Sequence, residues 1–131
     1  MKIYLEKEEC EGVFYDALCN GLSYIAGYGL KLLFNDEQYD KAKQTLKTVT
    51  PAEGIVCYED VLMEVLRQGG SLTLRDLEGD EPDAIITLTD VYDRMSLVPA
   101  NNLIAVLQET GDACDADVVL QTIFLEEVIY G

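Results

Sequence analysis

The sequence predicts one α+β domain over residues 1–131: a small, mostly antiparallel sheet, with a central hairpin at 71–88, packed by several amphipathic helices. Three observations lead there. The chain is of a length that suits one core. Two runs that alternate apolar and polar residues, "SLTLRDL" and "DAIITL", flank a turn-rich acidic segment at 76–83 and read as two strands and a tip near 78–82. Around them, apolar residues recur at helical spacing with capping residues at their starts.

Taken in order, "KIYLE" at 2–6 alternates like a short strand, with Ile3 and Leu5 on one face. Cys10, Val13, Phe14, Ala17 and Leu18 then fall at helical spacing, and Asn20-Gly21 reads as the C-terminal cap. The stretch 22–29 is open to two readings: Leu22, Ile25 and Ala26 fit a longer helix, whereas Gly27 and Gly29 fit a bend near the sheet. "LKLLF" at 30–34 reads as a buried strand. Asn35 caps a helix over 36–47, whose acidic start and basic end complement the helix dipole. Its inner stripe is Tyr39, Ala42 and Leu46.

Tyr58, Val61, Leu62, Val65 and Leu66 give the cleanest amphipathic helix, closed by Gly69-Gly70. After the hairpin, where Pro82 suits the tip or an edge, Thr89 is expected to cap a short helix through Met95. Pro99 opens a helix that carries Leu103, Ile104 and Leu107 and ends at Gly111. Asp112 caps a last helix over 113–130, with Asp115 and Asp117 in its first turn. "DVVLQTIFL" within it fits a buried strand equally well, because periodicity does not separate two fully buried elements.

Composition narrows the function classes. The net charge is −16, with 9 basic and 25 acidic side chains, and it is uneven. Residues 1–47 hold six basic and eight acidic groups; residues 48–131 hold three and seventeen. Such a chain repels DNA, RNA and anionic membranes, all of which are bound through Lys and Arg. The sign asymmetry points instead to an interaction surface for proteins. The apolar run from Val13 to Phe34 is interrupted by Asp16, Asn20 and Lys31 and reads as core. "MKIYLEKEEC" is charged where a signal peptide needs apolar residues, so a cytoplasmic chain is expected, with its four cysteines as reduced, buried thiols.

Chemistry is constrained just as sharply. The chain contains no histidine, which excludes a Ser-His-Asp triad, a His-activated thiol and His-ligated metal. No phosphate-cradling glycine motif is present, since "AGYGLKLL" lacks the third glycine and the helix it should open. The cysteines lack the close pairs of zinc sites. The segment "DLEGDEPD" at 76–83 fails as a calcium loop started at Asp76, because Glu81 and Thr87 stand where glycine and glutamate are required. No catalytic residue, metal or cofactor is therefore expected, and the chain reads as non-enzymatic.

Two readings follow. In the first, Asp76, Glu78, Asp80, Glu81 and Asp83 of the hairpin, Glu59, Asp60 and Glu64 of the helix at 58–66, and Asp112, Asp115 and Asp117 form a negative surface. That surface docks on the basic surface of a protein partner, as a mimic of nucleic acid would. In the second, the acidity only solvates, and an apolar face mediates homo-oligomer formation or assembly into a larger complex. "YEDVLMEVLRQGGSLTLRDLEGDEPDAIITLTDVYDRM" at 58–95 and "DADVVLQTIFLEEVIYG" at 115–131 resemble small accessory proteins of bacterial phages and mobile elements. That resemblance implies an inhibitor of a host or defence protein, and it assigns no residue a role.

Overall fold

The structure, a computed structural model, describes residues 4–51, 54–79 and 81–131. Among the described residues, six α-helices and three strands follow one another as α1 (Lys7–Ala26), β1 (Leu30–Phe34), α2 (Asp36–Val49), α3 (Tyr58–Arg67), β2 (Leu72–Asp76), β3 (Ala84–Ile86), α4 (Leu88–Arg94), α5 (Ala100–Leu107) and α6 (Ala113–Leu125). A 3-10 turn, Met95–Leu97, links α4 to α5. The strands form one antiparallel sheet in the order β1-β2-β3. Leu32 faces Leu74 and Phe34 faces Leu72, while Leu72 faces Ile86 and Leu74 faces Ala84. The α+β class and the hairpin are as the sequence predicts.

Strand alternation decides which face is covered. Leu30, Leu72, Leu74 and Ile86 point inward and are buried, against α1, α3 and α6. Lys31, Leu33, Thr73, Arg75 and Ile85 lie on the other face, where Ile85 is exposed. On the helical side, α1 packs most extensively on α6. Phe14, Leu18 and Ile25 from α1 meet Leu120, Ile123 and Phe124 in one core, and the rings of Phe14 and Phe124 lie 6.1 Å apart. Each fully buried leucine or isoleucine contributes about 1.5–3 kcal/mol relative to an exposed one. From Ala116 to Phe124, only Val118 is not buried. That explains why α6 carries no readable period: a helix enclosed on nearly every side has no polar face to mark one.

Several expectations are corrected. Residues 1–3 lie outside those described, and Tyr4–Glu6 form no strand. Asn20-Gly21 does not end α1, which runs on to Ala26. Gly21 is buried inside it, and a Cβ there would stand 2.8 Å from Leu120 Cδ1 and 3.2 Å from the Ala116 backbone. The glycine serves close helix approach rather than capping. Gly27 and Gly29 end the helix instead, Gly29 with φ +81° in the turn into β1. Helix α4 is capped by Thr87, not Thr89: the Thr87 N–H donates to Asp90 Oδ2 at 2.9 Å. Helix α5 stops at Leu107, short of Gly111. Helix α6 stops at Leu125, where Glu126 takes a left-handed conformation with φ 67°, so the chain from there to Tyr130 is not helical. Of the thiols, only Cys10 is buried; Cys19, Cys57 and Cys114 are exposed.

Candidate functional site

The acidic hairpin segment is held from inside. The Asp76 carboxylate accepts from the backbone N–H groups of Glu78 and Gly79, at 3.0 and 2.9 Å, and so folds the turn. Its second oxygen accepts the hydroxyl of Tyr130 at 3.2 Å. Asp83 takes a two-point contact from Arg75, at 3.0 and 2.8 Å, in the fork geometry that guanidinium and carboxylate share. The Glu78 N–H first, with those of Gly79 and the Tyr130 hydroxyl, holds the Asp76 carboxyl below the ordinary aspartate range. Arg75 does the same for Asp83. Two of the five carboxylates are thus structural. Glu78 and Glu81 are exposed, and Asp80 lies outside the described residues.

Behind the hairpin, Gln121 and Asp117 pin the C-terminal tail. The fully buried amide of Gln121 accepts from the N–H groups of Ile129 and Tyr130, at 2.9 and 2.8 Å, and donates to Asp117 Oδ1 and the Tyr130 carbonyl. The Tyr28 hydroxyl donates to Asp117 Oδ2 at 3.0 Å, and the rings of Tyr28 and Tyr130 stack with centroids 5.6 Å apart. Burial, then Asp117, push the Tyr28 hydroxyl up to about 12. Asp117 is therefore corrected: at 5% exposure it is a buried strut and not part of any docking surface.

A second acidic feature was not foreseen. Along the solvent side of α1 runs a shallow trough made of two depressions that share Asp16. One is lined by Glu8, Glu11 and Asp16 with Asp60 of α3, and the other by Asp16 with Glu109 and Asp112. From Glu8 to Asn20 it spans about 18 Å of helix at 1.5 Å per residue. Among the described residues lining it, Arg67 alone is basic. That guanidinium is committed to Glu11 at 2.8 Å and Glu64 at 3.6 Å.

The trough's electrostatics differ from the hairpin's. Desolvation, then the charge of Glu109, raise the Asp16 carboxyl above the ordinary range. Glu11 goes the other way: its burial is outweighed by hydrogen bonds from Arg67 and Tyr92, so its carboxyl sits low. Asp60 pushes the nearby Tyr15 hydroxyl well above the ordinary tyrosine range. Burial, with Glu9, raises the Cys10 thiol; burial, with Glu59, Asp16 and Asp60, raises that of Cys19. These shifts suppress the thiolate, the form that reacts.

The predicted acidic residues thus divide into two groups. Asp60 and Asp112 belong with the trough, which they line on either side of Asp16; Glu59 is not among its lining residues, although its charge is felt at Cys19. Glu64 is spent on Arg67 and Gln68. Asp115 serves the α6 cap and takes the Asn102 amide at 2.8 Å, which with the Asp112 N–H holds its carboxyl low. The hairpin carboxylates sit beyond the other end of α1, where Leu77 N–H donates to the Gly29 carbonyl at 2.9 Å. Sequence reasoning missed Glu8, Glu11, Asp16 and Glu109. The signal for the first three was present, since they lie off the apolar stripe of Cys10, Val13, Phe14 and Ala17. Among the described residues no group of three or more His, Cys, Asp or Glu is arranged to hold a metal ion, and no helix is long and apolar enough to cross a membrane. No protein-family model, curated protein or solved structure matches the chain.

Proposed function

We propose that this protein is a small, non-enzymatic, cytoplasmic interaction protein that docks its carboxylate trough on the basic surface of a protein partner. Occupying a surface that otherwise holds nucleic acid, it acts as an inhibitor of a host or defence protein, as the resemblance to phage accessory proteins implies. One observation carries the reading. Carboxylates from α1, α3 and the α5–α6 connection converge along one helix, and the only cation lining the trough among the described residues is already paired. Clustering like charge this way raises the folded state's energy, and a cationic partner relieves it. The raised Cys10 and Cys19 thiols argue against a nucleophilic role for those two cysteines. Fields of this kind speed association and weaken steeply with salt.

The test begins with capture from host lysate at low and high salt, and identification of the captured protein. Association rates are then measured for the wild type and for the combined variant Glu8→Gln, Asp16→Asn, Glu109→Gln. None of these three side chains makes a hydrogen bond or ion pair among the described residues. The expected result is an association rate lower by about tenfold, within the range of electrostatic steering, with a shallower salt dependence. A rate indifferent to both salt and the substitutions sinks the reading.

The outer sheet face favours a second reading. Ile85 is exposed there at 61%, beside Leu33 and Thr73, with Lys31 opposite Arg75. An assembly module would use this face, and substitution of Ile85 by serine would then dissociate the complex. Self-association is the less favoured form of it, because each copy carries a charge of −16.

A further inference from the structure

A cleft of about 230 Å³ lies between the hairpin and the C-terminal tail. Leu74 and Ala84 form its sheet wall, Leu125 its helical wall, and Ile129 of the tail stands at its mouth, 55% exposed. Glu81 and Asp83 contribute to its rim. We infer that this cleft receives one apolar side chain of the partner, with a neighbouring arginine or lysine of the same peptide segment meeting Glu81. The inference rests on the docking reading above and extends it from electrostatics to a specific contact.

Size, polarity and charge each restrict the occupant. Small-molecule pockets hold about 300–1,000 Å³, so this cleft suits a side chain rather than a free ligand. Its apolar walls reward burial at about 25 cal/mol per Å², and Ile129 offers apolar area still in contact with water. The rim selects the neighbour. Asp83 is already neutralised by Arg75, whereas Glu81 has no ion pair among the described residues, so the unspent charge is negative. An anionic segment is repelled there and a purely polar one gains nothing from the apolar walls, while a basic side chain can lay its aliphatic stem along the mouth and keep its charge beside the carboxylate. Contact at a preformed pocket also supplies what the trough lacks, since charge governs encounter and buried apolar anchors govern residence.

The test uses the full chain and an array of short peptides that pair leucine with arginine at spacings of one to three residues. Each is compared with its leucine-to-serine and arginine-to-glutamine versions. Methyl NMR locates the contact. Expected are shifts at the methyls of Leu74, Ala84, Leu125 and Ile129, a loss of about tenfold in affinity for the serine peptides, and a several-fold loss in Glu81→Gln. Ile129→Ser should weaken binding while leaving the tail's backbone bonds to Gln121 in place. Serine peptides that bind as well as leucine peptides, with shifts along α1, overturn the cleft and leave the docking reading standing. Leucine-dependent binding that ignores arginine and salt overturns the charged half of the inference and counts against the docking reading. No binding from any peptide below about 1 mM overturns the cleft alone, because the trough is judged separately by salt-dependent association.

Discussion

Asp76 and Asp16 are both aspartates carried by elements of the core, Asp76 at the end of β2 and Asp16 midway along α1, and the fold treats them oppositely. Asp76 accepts two backbone N–H groups and a tyrosine hydroxyl, and its carboxyl is held low. Asp16 accepts none of these; it is desolvated, faces Glu109, and its carboxyl is raised. The first carboxylate helps to hold the molecule together. The second is carried at a cost. A protein of net charge −16 needs some of its acid for structure, and what has no structural use is the better candidate for recognition.

The sharpest way to break the structural half of this contrast is Gln121→Leu. It removes the acceptor for two backbone N–H groups and the partner of Asp117, each costing about 1–3 kcal/mol if left buried and unpaired. A loss of about 2–4 kcal/mol is expected in urea unfolding, because the tail can move into water and recover part of it. Hydrogen exchange at Ile129 and Tyr130 should accelerate. Stability within error of wild type would mean the tail is not latched.

Gly21→Val probes the contact that frames both regions. Valine brings helix propensity that glycine lacks, but its branches meet Leu120 and the Ala116 backbone. A net loss of about 1–3 kcal/mol is expected, as for other overpacked sites. A stabilised variant would show that α1 and α6 can separate freely.

This contact also marks the limit of what the sequence revealed. The hairpin, α2 and α3 were legible because their apolar residues keep one period and their ends carry cap or turn residues. Asn20-Gly21 looks like a cap, yet whether a glycine ends a helix or admits a neighbouring one depends on a chain ninety-odd residues away. At α4 a signal was present and overlooked, since Thr87 has Asp90 three residues on and Thr89 has Tyr92. At the end of α6, Glu126 adopts a left-handed turn that glycine or asparagine would normally announce. The trough was hidden for a related reason. Glu8, Asp16, Asp60 and Glu109 are scattered in sequence, and only the packing of α1 against α3 and α6 brings them together.

Acid titration should separate the two kinds of carboxylate by sign. Asp76, Asp83, Asp115 and Glu11 have depressed values. Their stabilisation is therefore present above the ordinary carboxylate range of about 3.9–4.3 and is lost as pH falls through and below it. Asp16 has a raised value, so its ionised form opposes folding, and stability is gained as pH falls through that raised value. Relief of net negative charge acts in the same direction. The melting temperature should thus rise modestly as pH is lowered from 7 and then drop below about pH 4. A steady decline from neutrality would contradict the assignment of Asp16.

The smallest expected effect on stability is the most informative one. Glu8→Gln, Asp16→Asn and Glu109→Gln together remove three charges that make no hydrogen bond or ion pair among the described residues. Surface substitutions of this kind usually fall within about 0.5 kcal/mol. Removing a desolvated charge beside a like charge should move the sign toward stabilisation, so a small gain is expected. Glu78→Gln with Glu81→Gln serves as the comparison at the hairpin, where the charges are exposed and stability should not change. If the trough variant is more stable but binds its partner more slowly, stability and recognition pull against each other at Asp16, as they do where a site is kept for function. A trough variant that loses stability would place these carboxylates with Asp76 as structural groups, and the distinction between the two regions would disappear.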